Sequence, residues 1–168
     1  MRQLRRLGSA CVLAIALLAL TISTAFAAAP HFISASASIN GGGNLVVSWK
    51  EAGLGDNQLI HYTVSADATA TYVCVNGGNH NPSASNKTTV SGPVSASGTF
   101  SSGKNGNITA SLSAAPPSAP DFCPNGQKTE LALVTYTNIT LTDTTNDISV
   151  TLGTRSSGCL LPNVTGAC

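Results

Sequence analysis

Apolar and polar residues alternate with period two along most of the chain, and each run stops at turn-forming residues, the mark of half-buried β-strands. Ile33, Ala35, Ala37 and Ile39 alternate with serines and end at Asn40-Gly41-Gly42-Gly43. Leu45, Val47 and Trp49 share one face of a second strand, followed by the loop Ala52-Gly53-Leu54-Gly55-Asp56-Asn57. Ile60, Tyr62, Val64 and Ala66 predict a third strand, and Ala70, Tyr72 and Cys74 a fourth beyond Asp67. After the polar stretch from Asn76 to Lys87, Val90 and then Val94, Ala96 and Phe100 predict strand again, interrupted at Gly92-Pro93. Asn105-Gly106 reads as a hairpin turn, leading into Ile108, Ala110, Leu112 and Ala114. Leu131–Leu141 is the longest strand expected, with Leu131, Leu133, Thr135, Thr137, Ile139 and Leu141 on one side and Ala132, Val134 and Tyr136 on the other. Asp143-Thr144-Thr145-Asn146 turns the chain into Ile148, Val150 and Leu152. With about eight short strands and turns at short intervals, the pattern predicts an all-β, immunoglobulin-like antiparallel β-sandwich, with a barrel as the alternative.

The N-terminus follows a different pattern. Arg2, Arg5 and Arg6 precede an apolar run from Ala10 to Leu20, and Ala25-Phe26-Ala27 ends the segment. A basic start, an apolar stretch of about eleven residues and a small-x-small site make residues 1–27 a secretory signal peptide. The run is about half the roughly 20 residues that a membrane span needs, so no span is expected after cleavage. The domain organisation read from the sequence is a signal peptide over 1–27 and one sandwich domain over 28–168, its tail irregular and closed by a disulfide.

Removal of the signal changes the charge. Five cations (Lys50, Lys87, Lys104, Lys128, Arg155) then face seven carboxylates, a net of about −2. Without a basic patch, nucleic acid and anionic lipid lose their usual electrostatic attraction. The expected location is extracellular, and the expected partner is an unidentified extracellular or cell-surface component. Cys11 leaves with the signal, so Cys74, Cys123, Cys159 and Cys168 remain. An even number in an exported chain implies disulfides, for which four cysteines allow three pairings. Cys74–Cys123 with Cys159–Cys168 is the pairing expected, because the second pair closes a short loop.

Candidate chemistry is sparse. There is no Gly-x-Ser-x-Gly elbow; His61 with Asp56 or Asp67 is the nearest approach to a catalytic dyad, while His31 and His80 stand apart. Asp143, Asn146 and Asp147 could offer oxygens to calcium, but they lack the spacing of a calcium loop and equally suit an Asx turn. Trp49 and Tyr62 fall on apolar strand faces and read as core rather than as a sugar-binding platform. Asn-x-Thr sequons stand at Asn86, Asn107, Asn138 and Asn163, of use only in a host with the glycosylation machinery. No cofactor, metal or catalytic residue is assigned.

The stretches Ser48-Trp49-Lys50-Glu51-Ala52-Gly53-Leu54, Tyr72-Val73-Cys74-Val75-Asn76-Gly77-Gly78, Val90-Ser91-Gly92-Pro93-Val94 and Ser101-Ser102-Gly103-Lys104-Asn105-Gly106 resemble small secreted microbial proteins that carry no assigned function. A looser resemblance, through Ala52-Gly53-Leu54-Gly55, Asn81-Pro82 and Asn105-Gly106, is to the neocarzinostatin-type apoproteins, immunoglobulin-like sandwiches that carry an apolar chromophore. That family's disulfides are short local staples, whereas Cys74 and Cys123 are far apart, and none of its chromophore contacts transfers. The expectation is a non-catalytic structural or interaction protein. A carrier of a small apolar ligand is the alternative, and a secreted hydrolase the second alternative.

Overall fold

The computed structural model describes residues 29–76 and 84–168; the signal-peptide reading over 1–27 and His80 lie outside them. Seven strands are formed among the described residues. β1 (His31–Ile39), β2 (Leu45–Ala52) and β5 (Ile108–Ala114) make a three-stranded sheet in the order β1-β2-β5. β3 (Leu59–Asn76), β4 (Ala84–Ser101), β6 (Gln127–Asp143) and β7 (Ile148–Ser156) make a four-stranded sheet in the order β4-β3-β6-β7. Every pairing is antiparallel, and the two sheets stack as a sandwich.

The count falls one short of the expected eight because two predicted strands merge. The third and fourth predicted strands are one, because Asp67, Ala68 and Thr69 keep the backbone extended and the even-numbered side chains from Ile60 to Ala70 all point inward. Gly92-Pro93 does not break β4 either, since Pro93 lies on an edge strand, where a missing N–H donor is tolerated. Asn105-Gly106 makes a corner, not a hairpin. It follows a 3₁₀ turn at Gly103–Asn105, and carries the chain from β4 in one sheet to β5 in the other. The Ser102 hydroxyl ties that corner to the β2–β3 loop, donating to Gly55 O at 2.6 Å and accepting from Gln58 N at 2.9 Å.

Two bulges reset the expected faces. In β1 the register shifts between Phe32 and Ser34, so Ile33 is left 52% exposed. In β6 the chain spends three residues from Thr137 to Thr140 while β3 spends two from Asp67 to Ser65. Asn138, at φ 53°, supplies the extra residue. Ile139 and Leu141 therefore join Ala132, Val134 and Tyr136 as buried residues, not the opposite set.

The core fills the gap between sheets with Leu45, Val47 and Trp49 against Tyr62, Val64, Val134, Tyr136, Ile139 and Leu141. Trp49, Tyr62 and Phe100 pack as an aromatic trio, with ring centroids 4.7, 5.4 and 5.9 Å apart. The sheets are also tied by polar contacts: Tyr136 Oη donates to Gly43 O at 2.7 Å and Arg155 Nε to Ala37 O at 2.8 Å. Both disulfides are the expected ones, Cys74–Cys123 with Cα atoms 5.4 Å apart and Cys159–Cys168 with Cα atoms 5.8 Å apart. The tail beyond β7 lacks strand but is packed. Ser157 N and Leu160 N donate to Val134 O and Ala132 O, and Leu161, Val164 and Ala167 cover Val73 and Ala132. Among the described residues no helix is long and apolar enough to cross a membrane.

Candidate functional site

His61 points away from the core, and its Nδ1 lies 3.0 Å from Thr99 Oγ1. Asp67 is six residues along the same strand, about 20 Å away at strand rise, and accepts a 2.8 Å hydrogen bond from Asn138 Nδ2. Asp56 is exposed in the β2–β3 loop. The structure thus brings neither carboxylate to His61 as a hydrogen-bond partner. His31, exposed at the start of β1, sits 2.8 Å from Ala29 O through its Nδ1. Asp143 forms an Asx turn: Oδ1 accepts from Thr145 N at 2.8 Å and Asn146 N at 3.0 Å, and Oδ2 accepts from Asn146 Nδ2 at 2.6 Å. Both Asp143 oxygens considered for calcium are therefore engaged by N–H groups. Among the described residues no group of three or more His, Cys, Asp or Glu could hold a metal ion. Trp49 and Tyr62 are core residues, 3% and 0% exposed.

What the fold does assemble is a pair of hydroxyl-covered outer faces. Period-two alternation sends one set of side chains inward and the serines and threonines outward, and antiparallel register then lines them up across strands. On the four-stranded sheet the ranks are Ser97, Thr63, Thr142, Ser149 and Ser91, Thr69, Thr135, Ser156. In the second of these ranks hydroxyls bind one another, Thr69 to Ser91 at 3.0 Å and Thr135 to Ser156 at 3.3 Å. On the three-stranded sheet the ranks are Ser36, Ser48, Ser111 and Ser34, Lys50, Thr109. They line a shallow open trough of about 550 Å³. Among the described residues these hydroxyls make no hydrogen bond with another side chain, and Lys50 has no carboxylate partner, so their donors and acceptors face outward.

A second polar cluster is buried at the end of the sandwich where β2 and β6 finish. Glu51 continues the inward series Leu45, Val47, Trp49, and is fully buried. Tyr62 and Asp143 face it from the other sheet, directly paired across β3 and β6 and also fully buried. Neither Glu51 oxygen, nor Tyr62 Oη, nor Trp49 Nε1 closes a hydrogen bond of ordinary geometry. Burial pushes the Glu51 carboxyl up to about 7. The facing Tyr62 hydroxyl works against that shift, the Asp143 carboxylate adds to it, and His31 opposes it weakly. Burial and the neighbouring Glu51 likewise raise the Tyr62 phenol.

Sequence reasoning took Asp143 only as a turn residue or calcium oxygen and passed over Glu51, yet the signal for a buried pair was present. Glu51 is two residues beyond Trp49 and Asp143 two beyond Leu141, each in phase with a buried series. Ending the second apolar face at Trp49 and reading Asp143 as the start of a turn hid that phase. Comparison with protein-family models, curated proteins and solved structures finds no match to this chain.

Proposed function

We propose that this is a secreted or surface-associated, non-catalytic interaction protein that docks through the outer face of its three-stranded sheet. The observation that carries the reading is the trough of unengaged hydroxyls, Ser34, Ser36, Ser48, Thr109 and Ser111, set around the unpaired Lys50. A face with many neutral donors and acceptors and one cation suits a hydroxyl-rich cell-surface polymer, bound by direct and water-bridged hydrogen bonds. Two disulfides fit the oxidising surroundings of exported proteins, and the basic-apolar N-terminus supports export. The strand order, β1-β2-β5 over β4-β3-β6-β7, supports an immunoglobulin-like arrangement. Filling of the intersheet space by Trp49, Tyr62, Phe100 and Tyr136 favours this reading over a carrier of an apolar ligand.

Fractionation of producing cells should place the processed chain in the medium or on the cell surface. Purified protein should co-sediment with cell-wall polysaccharide. Ser48→Glu with Ser111→Glu should abolish that pelleting, and Thr63→Glu on the opposite sheet should leave it intact. Pelleting indifferent to charge on the trough, or turnover of the polymer by the purified protein, would count against the proposal.

A further inference from the structure

The buried acids make a separate case, independent of the docking face. Glu51 sits between Phe32 of β1 and Ile108 of β5 in register, and looks across the intersheet gap at Tyr62 and Asp143. Two carboxyl groups removed from water need a compensating cation if both are to be charged. The charged and titratable groups of every surrounding element can be named. β1 brings His31, exposed at its first residue; β2 brings Lys50, which points to the outer face; β3 brings Tyr62 inward and His61 outward. β4 contributes Phe100, β5 Ile108 and β7 Ile148, none of them charged, while the β2–β3 loop, the β4–β5 corner and the β6–β7 turn carry Asp56, Lys104 and Asp147, all three exposed. Arg155 of β7 is seven residues from this end and bound to Ala37 O. No Lys or Arg among the described residues faces the pair.

The two acids are not equivalent. Asp143 receives three N–H donors from its own turn, which stabilise a carboxylate. Glu51 receives none at ordinary geometry. The negative charge therefore belongs on Asp143 and the proton on Glu51. We propose that Glu51 and Asp143 form a clamp between the two sheets that holds while Glu51 is neutral and loosens when its proton leaves. Ionisation would set two like charges facing each other across the gap, beside the β2–β3 loop, the β4–β5 corner and the β6–β7 turn.

The sign of the pH effect follows. The folded-state value of Glu51 is raised from 4.5 to about 7, so the stabilisation is complete below the lower value. It is lost as pH climbs through the upper one. Trp49 is the only tryptophan of the chain and lies two residues from Glu51, so its fluorescence reports on the clamp. The signal-free mature protein should show a single fluorescence transition near neutrality and a Tm lower by about 5–10 °C at pH 8 than at pH 5. Glu51→Gln, which keeps a neutral group of the same shape, should remove the transition and flatten the Tm between those pH values. Infrared spectra of the wild type, which need no variant, should show a buried protonated carboxyl band at pH 5.5 that is gone at pH 8.5. An unchanged transition in Glu51→Gln, absence of that band at pH 5.5, or recovery of the pH 8 Tm on adding millimolar calcium would overturn the proposal. The last result would make the pair a cation site.

Discussion

Gly43 closes the β1–β2 turn at φ 82°, and a Cβ there would lie 2.3 Å from Leu131 Cδ2. The backbone demands glycine, while the end of the Leu131 side chain can shift to admit a methyl, so Gly43→Ala should cost about 1–2 kcal/mol in chemical denaturation. The carbonyl of the same residue accepts the Tyr136 hydroxyl, and burial pushes that phenol up to about 12. Tyr136→Phe removes the donor and strands the Gly43 carbonyl, for an expected loss of about 1–2 kcal/mol. Glu51 acts through its protonation state instead. The interval between 4.5 and about 7 corresponds to about 3 kcal/mol of stability surrendered as the pH rises. Denaturation of the wild type at pH 5 and pH 8 should show that difference, with Glu51→Gln nearly constant.

Strand positions were legible in the sequence because alternation is a local property: Leu45, Val47, Trp49 and Ile60, Tyr62, Val64 are buried as read. Bulges were not, because they arise from mismatch between neighbours. Ile33 and Asn138 look ordinary until β2 and β3 are laid beside them. For the same reason the hydroxyl trough could not be read in advance, since Ser36, Ser48 and Ser111 come from three distant segments brought into line by pairing. Asn138 holds the β6 bulge through its left-handed backbone and its bond to Asp67. Asn138→Val should destabilise by about 1–2 kcal/mol. The disulfides divide along element lines. Cys74–Cys123 spans 49 residues and anchors the end of β3 to the loop before β6. Its double alanine variant should lose about 4 kcal/mol. Cys159–Cys168 spans 9 residues and holds the lid over Val73 and Ala132. Its removal should cost less globally, but hydrogen exchange should quicken at Val73, Ala132 and Leu160.

The whole molecule carries few charges, 9% of its residues, and covers both sheets with short hydroxyl side chains. Such a surface offers little electrostatic repulsion between copies, while β4 is an eighteen-residue strand at the border of its sheet. Long borders of this kind template growth by other chains. Pro93, described above only as tolerated, then has a protective consequence. It deletes one amide donor midway along β4, so no incoming strand can hydrogen-bond without interruption along its length. Pro93→Thr should leave the monomer's fold and melting behaviour nearly unchanged while restoring a continuous row of donors. Light scattering of concentrated samples, with thioflavin fluorescence over days, should reveal polymerisation in the variant and none in the parent. A single imino acid would thus mark the difference between a protein that persists as separate molecules and one that seeds fibres.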